Sequence, residues 1–413
     1  MDWIRQKIAN RLGGALFDQE KAYKFAVIKQ LKQAFIEKHP DVVLLDFGIG
    51  EPDGLPPTCA IKSLQESCAL STYNGYADNG ASFFVQSVQN YLQNIFGISS
   101  ITEAEILPVL GIKSGLSLLA GTLINPGDVV AYTVPGYGVF ATQAKYFGGE
   151  LYPLELKASN NFLPDLDAIP EKIRQNIKVV CINYPNNPTG AVATKAFFEK
   201  MITFAQKYQW IILQDAAYSA LSFEQPLSIL QVKGALDCCV ELHSLSKGFN
   251  MTGWRIGWLC GNKTVLSACA QYKNNCDSGQ FLAIQKAAAT ALDNAETWLP
   301  KLRQKYDNRL QHLRQILEKH HFKTYLSKAG FFLYTDAPKH VLDASGNHLQ
   351  SFDSAQTCAH WLLEQLGIVV VDWDEGGSYL RFSVTFKAED DTAFLQGLDE
   401  RLKKFILKYD SYN

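Results

Sequence analysis

The sequence has no C-x-x-C pair, no apolar run long enough to cross a membrane and no stripe of positive charge, and each absence removes a class of function. Nine cysteines, an odd number that includes the adjacent Cys238-Cys239, give neither a disulfide framework nor a zinc site without such spacing. They read as small buried hydrophobes. No segment approaches the roughly 18 uninterrupted apolar residues of a membrane helix, and the first residues carry Asp2, Asp18 and Glu20 in place of a secretory apolar core. The expected location is the cytoplasm. The 39 basic residues are scattered and the formal net charge is −2, so neither a nucleic-acid partner nor an anionic membrane surface is expected. Internal repeats and low-complexity tracts are absent too.

What is present is a globular chain of 413 residues, 47% hydrophobic and 19% charged, long enough for one large and one smaller domain. Residues 1 to about 39 read as helix, with Ile8, Leu12, Ala15 and Leu16, then Phe25, Ile28, Leu31 and Phe35 at helical spacing around an interruption at Gly13-Gly14. From Leu107 to Leu259 short apolar runs alternate with helical patterns. The runs are Leu107 to Leu110, Val129 to Thr133, Glu150 to Leu154, Val179 to Asn183, Trp210 to Gln214, Val240 to His243 and Ile256 to Leu259. Such alternation predicts an α/β fold, a mostly parallel sheet covered by helices on both faces, with ligands beyond the carboxyl ends of the strands. The tail from Phe331 reads as α+β, with a last helix near Asp390 to Leu407.

One stretch concentrates chemistry: Ser244-Leu245-Ser246-Lys247-Gly248, followed by Gly253-Trp254-Arg255-Ile256-Gly257-Trp258. A desolvated lysine near other cations forms a Schiff base with a carbonyl, while two serine hydroxyls, exposed backbone N–H groups and an arginine suit a phosphate ester. Taken singly, the stretch is also what a polar surface turn looks like. It matches the S-x-x-K of serine β-lactamases as well, but the S-D-N and K-T-G elements those enzymes need do not follow.

Further candidates fall just after the predicted strands. Asn187 lies in the turn Asn183-Tyr184-Pro185-Asn186-Asn187-Pro188-Thr189-Gly190, whose prolines and glycine aim a side chain in a fixed direction. Asp215 and Tyr218 follow the run at Trp210; a carboxylate there is costly unless a cation faces it, or else it caps a helix. Lys113-Ser114-Gly115, after the run at Leu107, starts a helix whose first N–H groups suit a phosphate. Tyr137 offers a ring to a flat ligand, or half-buried packing. Gly48-Ile49-Gly50-Glu51-Pro52-Asp53-Gly54 is not a dinucleotide fingerprint, because Asp53 stands at the third glycine position and the prolines prevent an immediate helix.

In order and spacing, N-P-T-G, D-x-x-Y, S-x-S-K and R-x-G-W resemble the fold-type I, aspartate-aminotransferase-like family of pyridoxal-phosphate enzymes over nearly the whole chain. The resemblance implies a large domain over 46–290 with a seven-stranded sheet, a small domain over 291–413 and an N-terminal arm over 1–45 that joins it. It also implies that Lys247 bonds to the cofactor aldehyde, Asp215 pairs with the pyridine nitrogen, and Tyr218 and Asn187 reach the phenolic oxygen. Tyr137 then stacks on the ring, and Ser244, Ser246, Arg255 and the Ile112-Lys113 backbone hold the phosphate. Arg381 takes the substrate α-carboxylate, and Tyr76 reaches the phosphate of a partner subunit, which makes the protein a homodimer with shared sites. Within the family the Gly48 to Gly54 and Gly75 to Gly80 turns are similar to those of LL-diaminopimelate aminotransferases, although Phe83-Phe84 replaces a frequent Leu-Arg. That likeness implies transfer between LL-2,6-diaminopimelate and 2-oxoglutarate, towards lysine and peptidoglycan. A general aspartate, alanine or aromatic aminotransferase and a C–S β-lyase share the same site, and a cofactor-binding regulator shares the fold.

Overall fold

A computed structural model describes residues 3–17 and 24–409, with the backbone only over 24–26. Asp2, Asp18 and Glu20 lie outside the described residues. Two compact units are present. The larger takes Gly50–His312 and Tyr325–Tyr334; the smaller takes the chain up to Ile49, Leu313–Thr324 and the chain from Thr335 onward. Residues 291–312, read from the sequence as part of the C-terminal domain, therefore belong to the larger unit.

The larger unit is built on one seven-stranded sheet. Its strands are β1 (Ile106–Val109), β2 (Val129–Val134), β3 (Glu150–Glu155), β4 (Ile177–Asn183), β5 (Ile211–Asp215), β6 (Cys239–Ser244) and β7 (Gly257–Gly261), in the spatial order β1-β7-β6-β5-β4-β2-β3. All seven apolar runs of the sequence are in it. Neighbours from β6 through β5, β4 and β2 to β3 are parallel, while β7 runs antiparallel to both β1 and β6.

Burial on both faces explains why the inner strands read as largely apolar runs, whereas β3, at the sheet edge, is mostly unburied. Val180, Ile182, Ile212 and Trp258 pack on one face with residues of the helices Ser82–Phe96 and Lys195–Tyr208. Val179, Cys181, Leu213, Val240, Leu242 and Leu259 pack on the other with residues of Ile112–Leu123 and Lys263–Lys273. Cys181, Cys239, Cys260, Cys269 and Cys358 are buried and none of the nine is disulfide-bonded. Among the described residues no helix is long and apolar enough to cross a membrane.

In the smaller unit the expected helix over 1–39 is corrected. Residues 5–16 form three short 3-10 turns, and the α-helix spans Lys24–Lys38. Gly13 and Gly14, both at positive φ, stop a continuous helix from passing. The last helix ends at Leu402, and Phe405–Lys408 is instead a strand paired antiparallel with His340–Asp343. That pairing is nonlocal, so local periodicity could not announce it.

Gly257 shows how closely β6 and β7 approach. A Cβ added there would lie 2.4 Å from the carbonyl oxygen of His243, a backbone atom that cannot turn away. Gly257→Ala is expected to lower stability by about 1–3 kcal/mol through overpacking, read as a shift in the denaturant midpoint. An unchanged midpoint would contradict this strand spacing.

Candidate active site

Strand register decides which side chains meet. Asn183 at the end of β4 is level with Asp215 at the end of β5, and Asp215 is level with Leu242 near the end of β6. Ser244 closes β6 opposite Gly257, the first residue of antiparallel β7, and Gly257 faces Val109 at the end of β1. One sheet edge thus receives Gly111–Lys113, the Pro135–Tyr137 turn, Asn187, Asp215, Ser244–Lys247 and Arg255. Arg381 belongs to the smaller unit.

Lys247 follows the β6 end in a single helical turn, Leu245–Gly248, that Ser244 caps by accepting the Ser246 N–H at 3.0 Å. Its Nζ donates to the Gly50 carbonyl at 2.8 Å and lies 6.0 Å from the centre of the Phe331 ring. Asp215 is buried, its Oδ1 accepting the Ala217 N–H at 3.1 Å. Burial pushes its pKa up to about 6 from 3.8, held back by the Ala217 N–H and by the charges of Lys247 and His243. A buried carboxylate facing a lysine is suited to a cationic nitrogen of a ligand.

Tyr218 is also buried, its ring 5.5 Å from Phe331 and 5.7 Å from Phe332. A 3-10 turn spans Ser219–Leu221 with Tyr218 at its N-cap. Asn187 is nine-tenths buried, whereas Tyr137 is 38% exposed and Tyr76 fully exposed.

The features for a phosphate cluster at Gly111. The helix Ile112–Leu123 starts there with no side chain capping it, and its first N–H groups have no intrahelical partner. Gly111 has φ of 79°, and a Cβ there would lie 2.8 Å from Nη2 of Arg255. Arg255 has a left-handed backbone, and its Nη1 donates to the Thr252 carbonyl at 2.7 Å. A guanidinium beside an uncapped helix start, with the Ser244 and Ser246 hydroxyls on the next strand end, is a donor set for a phosphate group. Together with Lys247 and Asp215 it fits a flat aldehyde that carries a ring nitrogen and a phosphate.

Arg381 is buried in its own unit, where Nη2 donates to the Gly48 carbonyl at 3.4 Å and the guanidinium lies 5.8 Å from the Trp373 ring. Several supporting residues were not singled out by the sequence. Asn183 donates to the Asp215 carbonyl at 3.0 Å and accepts the Asn187 N–H at 2.9 Å, tying two site residues together. Its only local signal was an amide closing an apolar strand. Gln280 donates to the Arg255 carbonyl at 2.5 Å, a contact across 25 residues that no local pattern announces. His243 stacks on Trp258 at 5.0 Å and bonds the buried Glu241 at 2.7 Å.

Comparison with known proteins agrees with this geometry. The profile of the family described as "Aminotransferase class I and II" matches residues 42–398. An LL-diaminopimelate aminotransferase of Methanocaldococcus jannaschii is 42% identical over 392 residues, 94% of this chain and 92% of its own. Another from Aquifex aeolicus is 36% identical over 374 residues, 89% of this chain and 93% of its own. Among solved structures, substrate-bound BacF of Bacillus subtilis superposes with a TM-score of 0.84 at 27% identity, covering 96% of this chain and 98% of that one. A Thermus thermophilus aspartate aminotransferase variant, at 23% identity, shares the fold with a TM-score of 0.83 over 95% of this chain and 99% of that one. With the profile spanning the strand ends and their loops, the chain belongs to the class I and II aminotransferase family.

Proposed function

We propose that this protein is an LL-diaminopimelate aminotransferase, moving an amino group between LL-2,6-diaminopimelate and 2-oxoglutarate as a cytoplasmic homodimer. The observation that carries the reaction is a buried Asp215 at the same sheet edge as Lys247, near enough for the lysine's charge to lower the carboxyl's pKa. Support for the substrate comes from the turns Gly48 to Gly54 and Gly75 to Gly80, and from the names of the relatives at 36% and 42% identity.

Family membership makes pyridoxal 5'-phosphate the cofactor. When bound, it draws electron density from the substrate Cα and stores the amino group between two half-reactions. Arg255, Ser244, Ser246 and the N–H groups of Ile112 and Lys113 hold its phosphate. Tyr137 covers the ring, and Asn187 and Tyr218 donate to the phenolic oxygen. Ionised Asp215 keeps a proton on the ring nitrogen, because a buried carboxylate favours a cation beside it. Lys247 would be the base that takes the proton from the substrate Cα. Arg381 holds the α-carboxylate with its planar fork. Tyr76, fully exposed on its own subunit, reaches the phosphate bound by the partner.

Absorption spectra during titration with single amino acids, without an acceptor, test the substrate. LL-diaminopimelate and glutamate are expected to convert the visible cofactor band to the pyridoxamine form, and aspartate is not. Conversion by aspartate or aromatic amino acids would move the assignment to a general aminotransferase. Release of pyruvate and ammonia from cystathionine would make it a β-lyase.

Asp215 sets a second test, on stability without cofactor. Folding raises its pKa from 3.8 to about 6, so the folded state binds the proton more tightly. Stability relative to an uncharged residue is therefore lost as pH rises from about 4 through 6, by about 3 kcal/mol in all. The cofactor-free Asp215→Asn variant is expected to melt above the parent at pH 7.5, with the gap closing as pH falls towards 4. A parent that melts higher at pH 7.5 would contradict this.

A further inference from the structure

The loop Gly50–Leu55 is anchored more heavily than a surface turn requires. Asp53 is the centre of the anchor, its side chain only 7% exposed. Lys305 Nζ lies 2.6 Å and Arg309 Nη1 3.0 Å from its Oδ2, and Tyr306 donates to its Oδ1 at 3.2 Å. All three come from one face of the helix Ala295–Lys319, within the larger unit. Burial works to raise the Asp53 pKa, but Lys305 and Arg309, with a backbone hydrogen bond, outweigh it and hold the carboxyl below its ordinary value. At its far end the loop is fastened again, by Asn250 Nδ2 donating to the Leu55 carbonyl at 3.0 Å.

Glu51 and Pro52 alone separate Asp53 from Gly50, whose carbonyl accepts Lys247 Nζ at 2.8 Å. Proline fixes one of the few free torsions in so short a link, so the place of the Asp53 carboxylate is passed on to the Gly50 oxygen. The same helix reaches Lys247 by a second route: the Tyr306 ring lies 5.3 Å from Phe331, whose ring is 6.0 Å from Nζ.

We propose that Asp53 is a positioning residue for Lys247: its cluster with Lys305, Tyr306 and Arg309 fixes the Gly50 carbonyl, which orients the lysine amine towards the cofactor. A neutral carbonyl suits this task. It accepts a hydrogen from the ammonium and from the free amine alike, so the nitrogen keeps its place when its proton leaves. A carboxylate at the same point would trap the proton and remove the base. The negative charge that anchors the loop is instead three residues away and matched by two cations.

This inference rests on the reading of Lys247 as the residue that bonds to the cofactor. In that step the amine nitrogen bonds to the aldehyde carbon, and the aldehyde oxygen leaves as water with the two amine hydrogens. The test follows the growth of the visible band of the lysine-linked cofactor after pyridoxal phosphate is mixed with cofactor-free protein. The affinity for pyridoxamine phosphate, which cannot bond to lysine, is measured in parallel. Asp53→Asn is expected to slow attachment at least about fivefold while pyridoxamine phosphate affinity changes less than about twofold, the scale of one misplaced hydrogen bond. Asp53→Glu, which keeps the charge, is expected to recover most of the rate. Should Asp53→Asn fail to fold by circular dichroism, Lys305→Met carries the same test from the helix side, with the same slowing expected. Attachment at the parent's rate, or a parallel fall in both quantities, would overturn the proposal. No lysine-linked band in the parent would sink the Lys247 reading instead.

Discussion

A buried carboxylate within reach of a lysine's charge is the constraint around which the larger unit is arranged. Asp215 is at the end of an apolar strand, where an ionised group is expensive and its pKa rises to about 6. The cost is accepted at a place where the charges of Lys247 and His243 offset part of it. Asn183 on one side and the β6 end on the other hold the strand ends level, so Asp215 and Lys247 are brought to one sheet edge without either depending on a flexible loop. Rigid strands fix the chemistry and the turns after them supply the donors.

Antiparallel β7 has a particular consequence. Because it starts where β1 and β6 end, Arg255 just before it is delivered beside Gly111 and the start of the helix Ile112–Leu123. A fully parallel sheet would send that arginine to the opposite edge. The phosphate donors therefore depend on one reversal of strand direction and on the close β6–β7 contact at Gly257.

Much of this was legible in the sequence because the determinants are local. Strands covered on both faces are largely apolar runs, and the periodic alternation of such runs with helical patterns made all seven strands readable. Residues at strand ends stood out because Asn187, Asp215 and Lys247 are polar where the apolar pattern stops. Long-range partners stayed hidden. Nothing near Asp53 in sequence tells that Lys305, Tyr306 and Arg309 surround it, and nothing near Arg255 points to Gln280. The strand Phe405–Lys408 was taken for helix because its partner, His340–Asp343, lies more than sixty residues earlier. The N-terminal turns show the converse, helical spacing without a helix, where two successive glycines take left-handed backbones.

The central claim is that Lys247 carries the cofactor, and borohydride reduction followed by peptide mapping tests it most directly. Reduction of the cofactor-loaded protein is expected to leave a pyridoxyl-phosphate group on the peptide that holds Lys247, and on no other lysine in comparable yield. A modified peptide carrying a different lysine, with Lys247 unlabelled, would contradict the account.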